Sequence, residues 1–580
     1  MVMASTAAVD ASWLWIGSEC GRRSARRRGE VFPSAIQRCQ RRFGLWKNHR
    51  HAIVSGPPPP SRIPIGGVRF SSTLAGTGSV LGKPPKTEED TSILSDFLCF
   101  LNASWTPFHA TMEAKKLLLD AGFLQLNEED EWSIEPGGRY FFTRNMSTLV
   151  AFAIGQKYQT GNGFHVVAAH TDSPCPKLKP VSALSKSGFL NLGVQTYGGG
   201  LWHTWFDRDL SVAGRALVKG KDGALDHRLV QVNDPILRIP TLAIHLDKNV
   251  NTDGFKPNLE THLAPVLATK IKSELAHSND GNGAIYSNAS VHHPILLQVL
   301  FYPFLCSREK TIVKVCVVVP AQILAKELQC DIEQIADFEL NVCDTQPSCI
   351  GGAKKEFIFS GRLDNLASSF CALRALRDTC KDKTSLEDES SVRMVALFDN
   401  EEVGSDSTQG AGSPIMFEAM KRIATWLSRT SDSEGIVERT IRKSFLVSAD
   451  MAHALHPNYS EKHEENHQPK LHEGLVIKHN ANQRYATNSV TAFLFKEVAR
   501  LAGIQTQNFI VRNDMGCGST IGPILASGIG IRTVDCGMPQ LSMHSIREMC
   551  GTQDIDTAYK HFKAFYRTFT SIDQQVSVDK

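Results

Sequence analysis

The stretch Phe164-His-Val-Val-Ala-Ala-His170-Thr-Asp172-Ser-Pro174 is an apolar run that stops abruptly on ionisable side chains. A run of this length and composition suits a strand buried on both faces. Pro174 and Pro176 then forbid a regular helix or a central strand directly after it, because each ring fixes φ and removes a backbone donor. His170 and Asp172 are thereby placed at a strand exit, where an open α/β sheet displays its reactive groups.

The pattern recurs along the chain. Asp364-Asn365 precedes a helical face of Leu366, Phe370, Leu373 and Leu376; residues 392–398 run apolar into Asp399-Asn-Glu401-Glu402; residues 445–448 run into Asp450-x-x-His453. Further strands are expected at 509–511 and 529–534, with His544 beyond them. Strands alternating with helices predict a largely parallel sheet covered on both faces, an α/β class three-layer α/β/α catalytic domain. Order is expected from Thr91, where Ile93, Leu94, Phe97, Leu98 and Leu101 recur at helical spacing. Between 173 and 352 the pattern changes. Gly198-Gly-Gly200 and apolar stretches at 211–218, 229–232 and 239–246 predict short antiparallel strands, with helices after Ala264. The reading is a catalytic domain of residues 90–172 and 353–580, interrupted by an inserted β-rich domain of residues 173–352.

Taken singly, an Asp after a strand is a helix cap or turn residue. Repetition changes the reading: His170, Asp364, Glu402, Asp450 and His544 all flank buried runs, and together they make a two-metal site. Two zinc-like cations ~3.5–4 Å apart repel, so a carboxylate must bridge them, further anions must neutralise them, and neutral imidazoles must complete the shells. Glu401 is then left to move protons, and Asp172 to orient a ligand imidazole. A competing motif, His463-Glu-Glu-Asn-His467, matches the zinc helix H-E-x-x-H. It is rejected because Pro457 and Pro469 flank it and no apolar stripe would bury such a helix.

Residues 1–80 hold 12 Lys+Arg against 3 Asp+Glu, which leaves 51 against 57 in the remainder. The folded part is mildly acidic and has no clustered basic stripe, so nucleic acid is not expected as a partner. No apolar run of membrane-spanning length is found, and no membrane partner is expected. The 14 cysteines contain no C-x-x-C, and several lie in apolar runs, which fits free thiols in a reducing compartment. Residues 1–85 combine arginines and serines with few acids and Pro57–Pro60, a composition that cannot bury a core. They resemble a transit peptide for a chloroplast or mitochondrion. A basic tail on a cytoplasmic protein is the alternative.

The segments AHTDSP (169–174), RLDNL (362–366), DNEEVGS (399–405), SADMAHA (448–454) and MHSIRE (543–548) resemble the aspartyl aminopeptidase family, as do YGGG, WFDRDL, HPNY and NDMGCGSTIGP. The resemblance runs from about Ser92 to the C-terminus. It implies a binuclear zinc exopeptidase, with two zinc ions per subunit, that removes Asp or Glu from peptide N-termini through a two-zinc activated water. In that family pattern Asp364 bridges the metals, His170 and Asp450 complete one site, and Glu402 and His544 the other. Glu401 is the general base and Asp172 the partner of His170. His245, His453, Lys478 and Tyr485 contact substrate, with His245 donated into a neighbouring subunit. Assembly as a homododecamer of dimers through the inserted domain is implied as well. Residues 301–323 are an atypical insertion, Val-rich and weakly charged, that the family pattern lacks. Other binuclear zinc aminopeptidases or deacylases, and a non-catalytic oligomeric scaffold, are the alternative readings. An intact Glu401 argues against the scaffold.

Overall fold

The computed structural model describes residues 88–270, 292–297, 300–304, 315–319, 323–331, 334–381, 383–428 and 434–576. The transit-peptide-like segment 1–85 lies outside them, as does part of the insertion at 301–323.

Nine strands form the main sheet, in the order Leu124–Gln125, Arg139–Arg144, Thr148–Ile154, Val392–Phe398, Phe164–His170, Phe445–Ala449, Arg532–Gly537, Leu475–His479 and Thr506–Ile510. The four strands from Val392–Phe398 to Arg532–Gly537 are mutually parallel, with antiparallel pairing on either side of them. Strand alternation sorts the core into two halves. Along Thr148–Ile154, Leu149, Ala151 and Ala153 face one side, while Val150, Phe152 and Ile154 face the other. Helices Leu363–Thr379, Ser489–Leu501 and Thr552–Asp573 cover the first face with Phe370, Phe495, Phe562 and Phe565. Ile415–Ser428 and Ile521–Ile529 cover the second with Met416, Ile423 and Ile521. Each such side chain, once fully buried, contributes roughly 1.5–3 kcal/mol, which holds three layers together without any cross-link. The described cysteines are free thiols, as their spacing predicts.

A second, six-stranded antiparallel sheet is built almost wholly from the chain between Cys175 and Asp344. It has its own core, including Leu192, Val212, Val218, Leu340 and Val342. The β-rich pattern read from this region therefore forms a separately packed sheet. Strands Leu300–Phe304 and Val315–Val319 pair with each other as a two-stranded antiparallel ribbon, and among the described residues with no other strand. A small third sheet contains Phe357–Ser360, Pro539–Leu541, Glu548–Gly551 and Ala452–His453.

Four local expectations are corrected. The apolar run 239–246 is not a strand: Leu242, Ile244 and Leu246 are 60%, 47% and 75% exposed, and the segment is fastened by Thr241 to Asp207 instead of a ladder. Helices do follow Ala264, at Pro294–Leu297 and Ile323–Leu328, but strand Val266–Thr269 comes first, because Val266 pairs with Asn191 at the sheet edge. Ile529 ends a helix stopped by Gly530 at φ 80°, and the strand starts at Arg532. The strand expected at 509–511 lies at Thr506–Ile510, in register with Leu475–His479.

Candidate metal centre

Three sheet segments and two turns deliver the ionisable groups. His170 is the last residue of its strand, and Asp450 follows Phe445–Ala449 directly. Glu401 and Glu402 form a single 3₁₀ turn beyond Val392–Phe398, entered through Asn400 at φ 62°. Asp364 and His544 arrive from the third sheet, after Phe357–Ser360 and Pro539–Leu541 respectively. Gly537 is required where two strands run close together, since a β-carbon there would collide with the Asp450 carbonyl.

Asp364 lies between the two imidazoles. Its Oδ1 is 3.4 Å from His170 Nε2 and its Oδ2 is 3.4 Å from His544 Nε2. Asp450 Oδ1 stands 3.5 Å from His170 Nε2, and Glu402 Oε2 stands 3.4 Å from His544 Nε2. His170, Asp364 and Asp450 thus form one cluster, and Asp364, Glu402 and His544 a second, each with its donor atoms within 4.8 Å of one another. Glu401 also offers an oxygen to this space, 3.8 Å from His170 Nε2.

These donors fit divalent cations on the structure's own evidence. Asp364 Oδ1, Asp450 Oδ1 and Glu402 Oε1 are buried and accept no hydrogen bond. An uncompensated buried carboxylate costs several kcal/mol, so three of them converging on one space require positive charge there. Burial pushes the Glu401 carboxyl up to about 7, with His170 opposing and Asp450 reinforcing the shift. Burial and the charge of Asp364 push Glu402 well above the carboxylate range.

Surrounding groups fix how the donors face. His170 Nδ1 donates to the Asp172 carbonyl at 3.1 Å, and His544 Nδ1 to the Gly199 carbonyl at 3.0 Å, which leaves both Nε2 lone pairs directed inward. The Asp172 carboxylate accepts from Tyr197 Oη at 2.8 Å and from the backbone N–H groups of Glu401 and Glu402 at 3.2 and 3.1 Å. It therefore positions the acidic turn as well as the histidine. Glu548, not singled out in the sequence, accepts from the N–H groups of Asp364 and His544. Burial and the charge of Asp364 push its carboxyl up to about 8. Tyr197 and Asn400 were missed too; their only sequence signal is membership of the quoted YGGG and DNEEVGS segments. Asn400 Nδ2 donates to Tyr197 Oη at 2.9 Å.

A cleft of about 500 Å³ opens on this cluster and is lined also by His453, Lys478 and Tyr485. Lys478, 3% exposed, lies 3.2 Å from Asp450 Oδ2, with its ammonium 5.4 Å from the Tyr485 ring centroid. His453 packs its ring edge on Phe509. His245 is not brought to the cleft; it sits in the exposed segment between Leu242 and Leu246. From His463 to His467 the backbone forms turns and no α-helix, after a single 3₁₀ turn at Ser460–Lys462, and His463 Nε2 accepts the His456 N–H.

A three-layer α/β domain that collects two imidazoles and at least three unpartnered carboxylate oxygens in one cleft defines a metal-dependent hydrolase. The profile of the aminopeptidase I zinc metalloprotease (M18) family matches residues 100–566, and the chain belongs to that family, as a zinc-dependent aminopeptidase. It is similar to a probable aspartyl aminopeptidase of Ricinus communis, 59% identical over 517 residues covering 86% of this chain and 100% of that protein. An aspartyl aminopeptidase of Dictyostelium discoideum is 45% identical over 494 residues, covering 82% and 97%. Among solved structures, a chain of the Ape4 and Nbr1 complex superposes with a TM-score of 0.77 at 44% identity, covering 85% of this chain and 88% of that one. The mApe1 dodecamer of S. cerevisiae gives 0.70 at 28%, covering 85% and 100%.

Proposed function

We propose that this enzyme removes N-terminal Asp and Glu from peptides. The observation that carries the reading is Lys478: among the described residues it is the only Lys or Arg lining the cleft, it is buried, and its ammonium can meet an acidic side chain. The names of the relatives support the same specificity.

Two zinc ions would be held by His170 and Asp450 on one side and by Glu402 and His544 on the other, with Asp364 shared between them. When bound, zinc polarises the scissile carbonyl and lowers the pKa of water. Glu401 takes the proton of the attacking water at its carboxylate and passes it to the amine nitrogen as the C–N bond breaks. Asp172 holds His170 and the 401–402 turn in place for this transfer. His453 and Tyr485 donate to the substrate oxygens, including the charge that develops on the carbonyl.

The chain between 173 and 352 is assigned the role of dimerisation domain. Support comes from Leu242, Ile244 and Leu246, exposed around His245, which suit burial against a second copy and delivery of His245 to that copy's cleft. A dodecamer of dimers is the corresponding assembly, supported by the dodecameric relative. The arginine-rich residues 1–85 direct the chain to an organelle; among the described residues no helix is long and apolar enough to cross a membrane.

The test is a rate comparison on Asp-, Glu-, Leu- and N-acetylated peptides with the zinc-loaded, processed chain. Cleavage of Asp and Glu peptides over Leu, with acetylated peptides refused, supports the assignment. Equal rates on Leu peptides favour a broader aminopeptidase, and cleavage of acetylated ones a deacylase.

A further inference from the structure

A second cavity of about 800 Å³ adjoins the cleft, and the two share His453, Phe509 and Met543 as a common wall. Further apolar lining is contributed by Ala454, Ile510, Val511, Met515 and Leu541. Met515 is 42% exposed, so its thioether is open to a ligand entering the cavity.

Several polar members of this lining hold its shape. Arg512 pairs with both carboxylate oxygens of Asp514 at 2.8 and 2.7 Å and donates to the Glu461 carbonyl at 2.9 Å. His463 accepts the His456 N–H at 3.1 Å, and Glu464 is engaged by His467 and the Asn466 N–H. The stretch that mimics a zinc motif is thus a rim of this cavity. These hydrogen bonds are spent on the rim, and the apolar side chains, with Lys462 beside them, make up the rest of the wall.

Chain direction indicates the occupant. An aminopeptidase admits one residue of its substrate beyond the scissile bond, so the rest of the peptide must leave the cleft by an open side. Lys478, Tyr485 and Thr520, 3%, 5% and 3% exposed, form a buried wall on one side, with Gly518 and Ser519 exposed beside it. The side of His453, Phe509 and Met543 opens into the second cavity. We propose that this cavity receives the second residue of the peptide and favours an apolar side chain there. The proposal rests on the exopeptidase reading above. Met515 and Met543 suit the role, because unbranched thioethers adapt to Leu, Met or Phe without a fixed shape.

The test uses zinc-loaded full chain and tripeptides Asp-Xaa-Ala with Xaa as Gly, Leu, Phe or Asp, in wild type, Met515→Ala and Met515→Asp. Leu and Phe are expected to exceed Gly in kcat/KM by about tenfold, the scale on which an apolar pocket rewards a filled site. Met515→Asp should abolish that preference while leaving Asp-Gly-Ala within about twofold of wild type, with Met515→Ala intermediate. Wild-type indifference between Gly and Leu overturns the proposal, and so does an equal loss on all four peptides in Met515→Asp. If wild type cleaves Leu-Xaa-Ala in preference to Asp-Xaa-Ala, the acidic specificity fails instead, and the same second-position series on Leu-Xaa-Ala decides the present inference.

Discussion

The backbone N–H of Asp364 donates to Oε2 of Glu548 at 3.2 Å, and the other oxygen of the same carboxylate takes the N–H of His544 at 3.0 Å. One fully buried acid therefore sets the height of two donor residues that come from different loops. Glu548→Ala frees both backbones. Zinc affinity in this variant, measured by competition with a chelator, is expected to fall about 10–100-fold, with kcat largely recovered at saturating zinc. Unchanged affinity would show that Glu548 only fills space.

Glu401 and Glu402 are neighbours with different tasks, since only Glu402 pairs with His544 while the Glu401 oxygen faces His170 at 3.8 Å. Glu401→Gln is expected to keep the zinc content of wild type while kcat falls about 10²–10⁴-fold, the usual worth of a general base. Elemental analysis alongside kinetics checks it. Loss of zinc would assign Glu401 to the metal instead.

Replacing His463 and His467 together by Ala is expected to leave zinc content unchanged, because their ring nitrogens serve the His456 N–H and Glu464. Loss of one zinc equivalent on elemental analysis would reinstate the H-E-x-x-H reading.

His561 supplies a pH test remote from the cleft. Its ring stacks on Phe495 with centroids 4.0 Å apart, and burial lowers its pKa from 6.5 to about 4, opposed by the Phe495 carbonyl. The unfolded chain binds a proton here that the folded chain refuses, so stability present above pH 6.5 is lost as pH falls towards 4. Between pH 7 and 5 this group should cost about 2 kcal/mol. Urea unfolding of wild type and His561→Phe at both pH values checks it: the variant's loss on acidification should be smaller by that amount. Equal losses would mean His561 is protonated in the folded state.

Strand exits were legible because the strands that carry them are buried on both faces. Phe164–His170 has every residue buried, so its apolar run stops where the core stops, at His170. Asp450 and the 401–402 turn followed from the same logic. The run 239–246 looks equally apolar, but only Ile239 is buried while Leu242, Ile244 and Leu246 are exposed; hydropathy cannot distinguish a buried strand from an exposed apolar segment. Glu548 was illegible for a different reason. It ends the quoted MHSIRE segment, but no periodicity marks its role, and only the antiparallel pairing of Glu548 with Ser360 brings it beneath Asp364. Boundaries such as Ile529 shifted because a helix ending in Gly530 shares its apolar residues with the strand that follows.

The most direct measurement is anomalous diffraction at the zinc edge from crystals of the zinc-loaded enzyme. Two peaks ~3.5–4 Å apart on either side of the Asp364 carboxylate are expected, one facing His170 and Asp450 and the other Glu402 and His544. A single peak, or density at His463 and His467 with none at Asp364, would contradict the account.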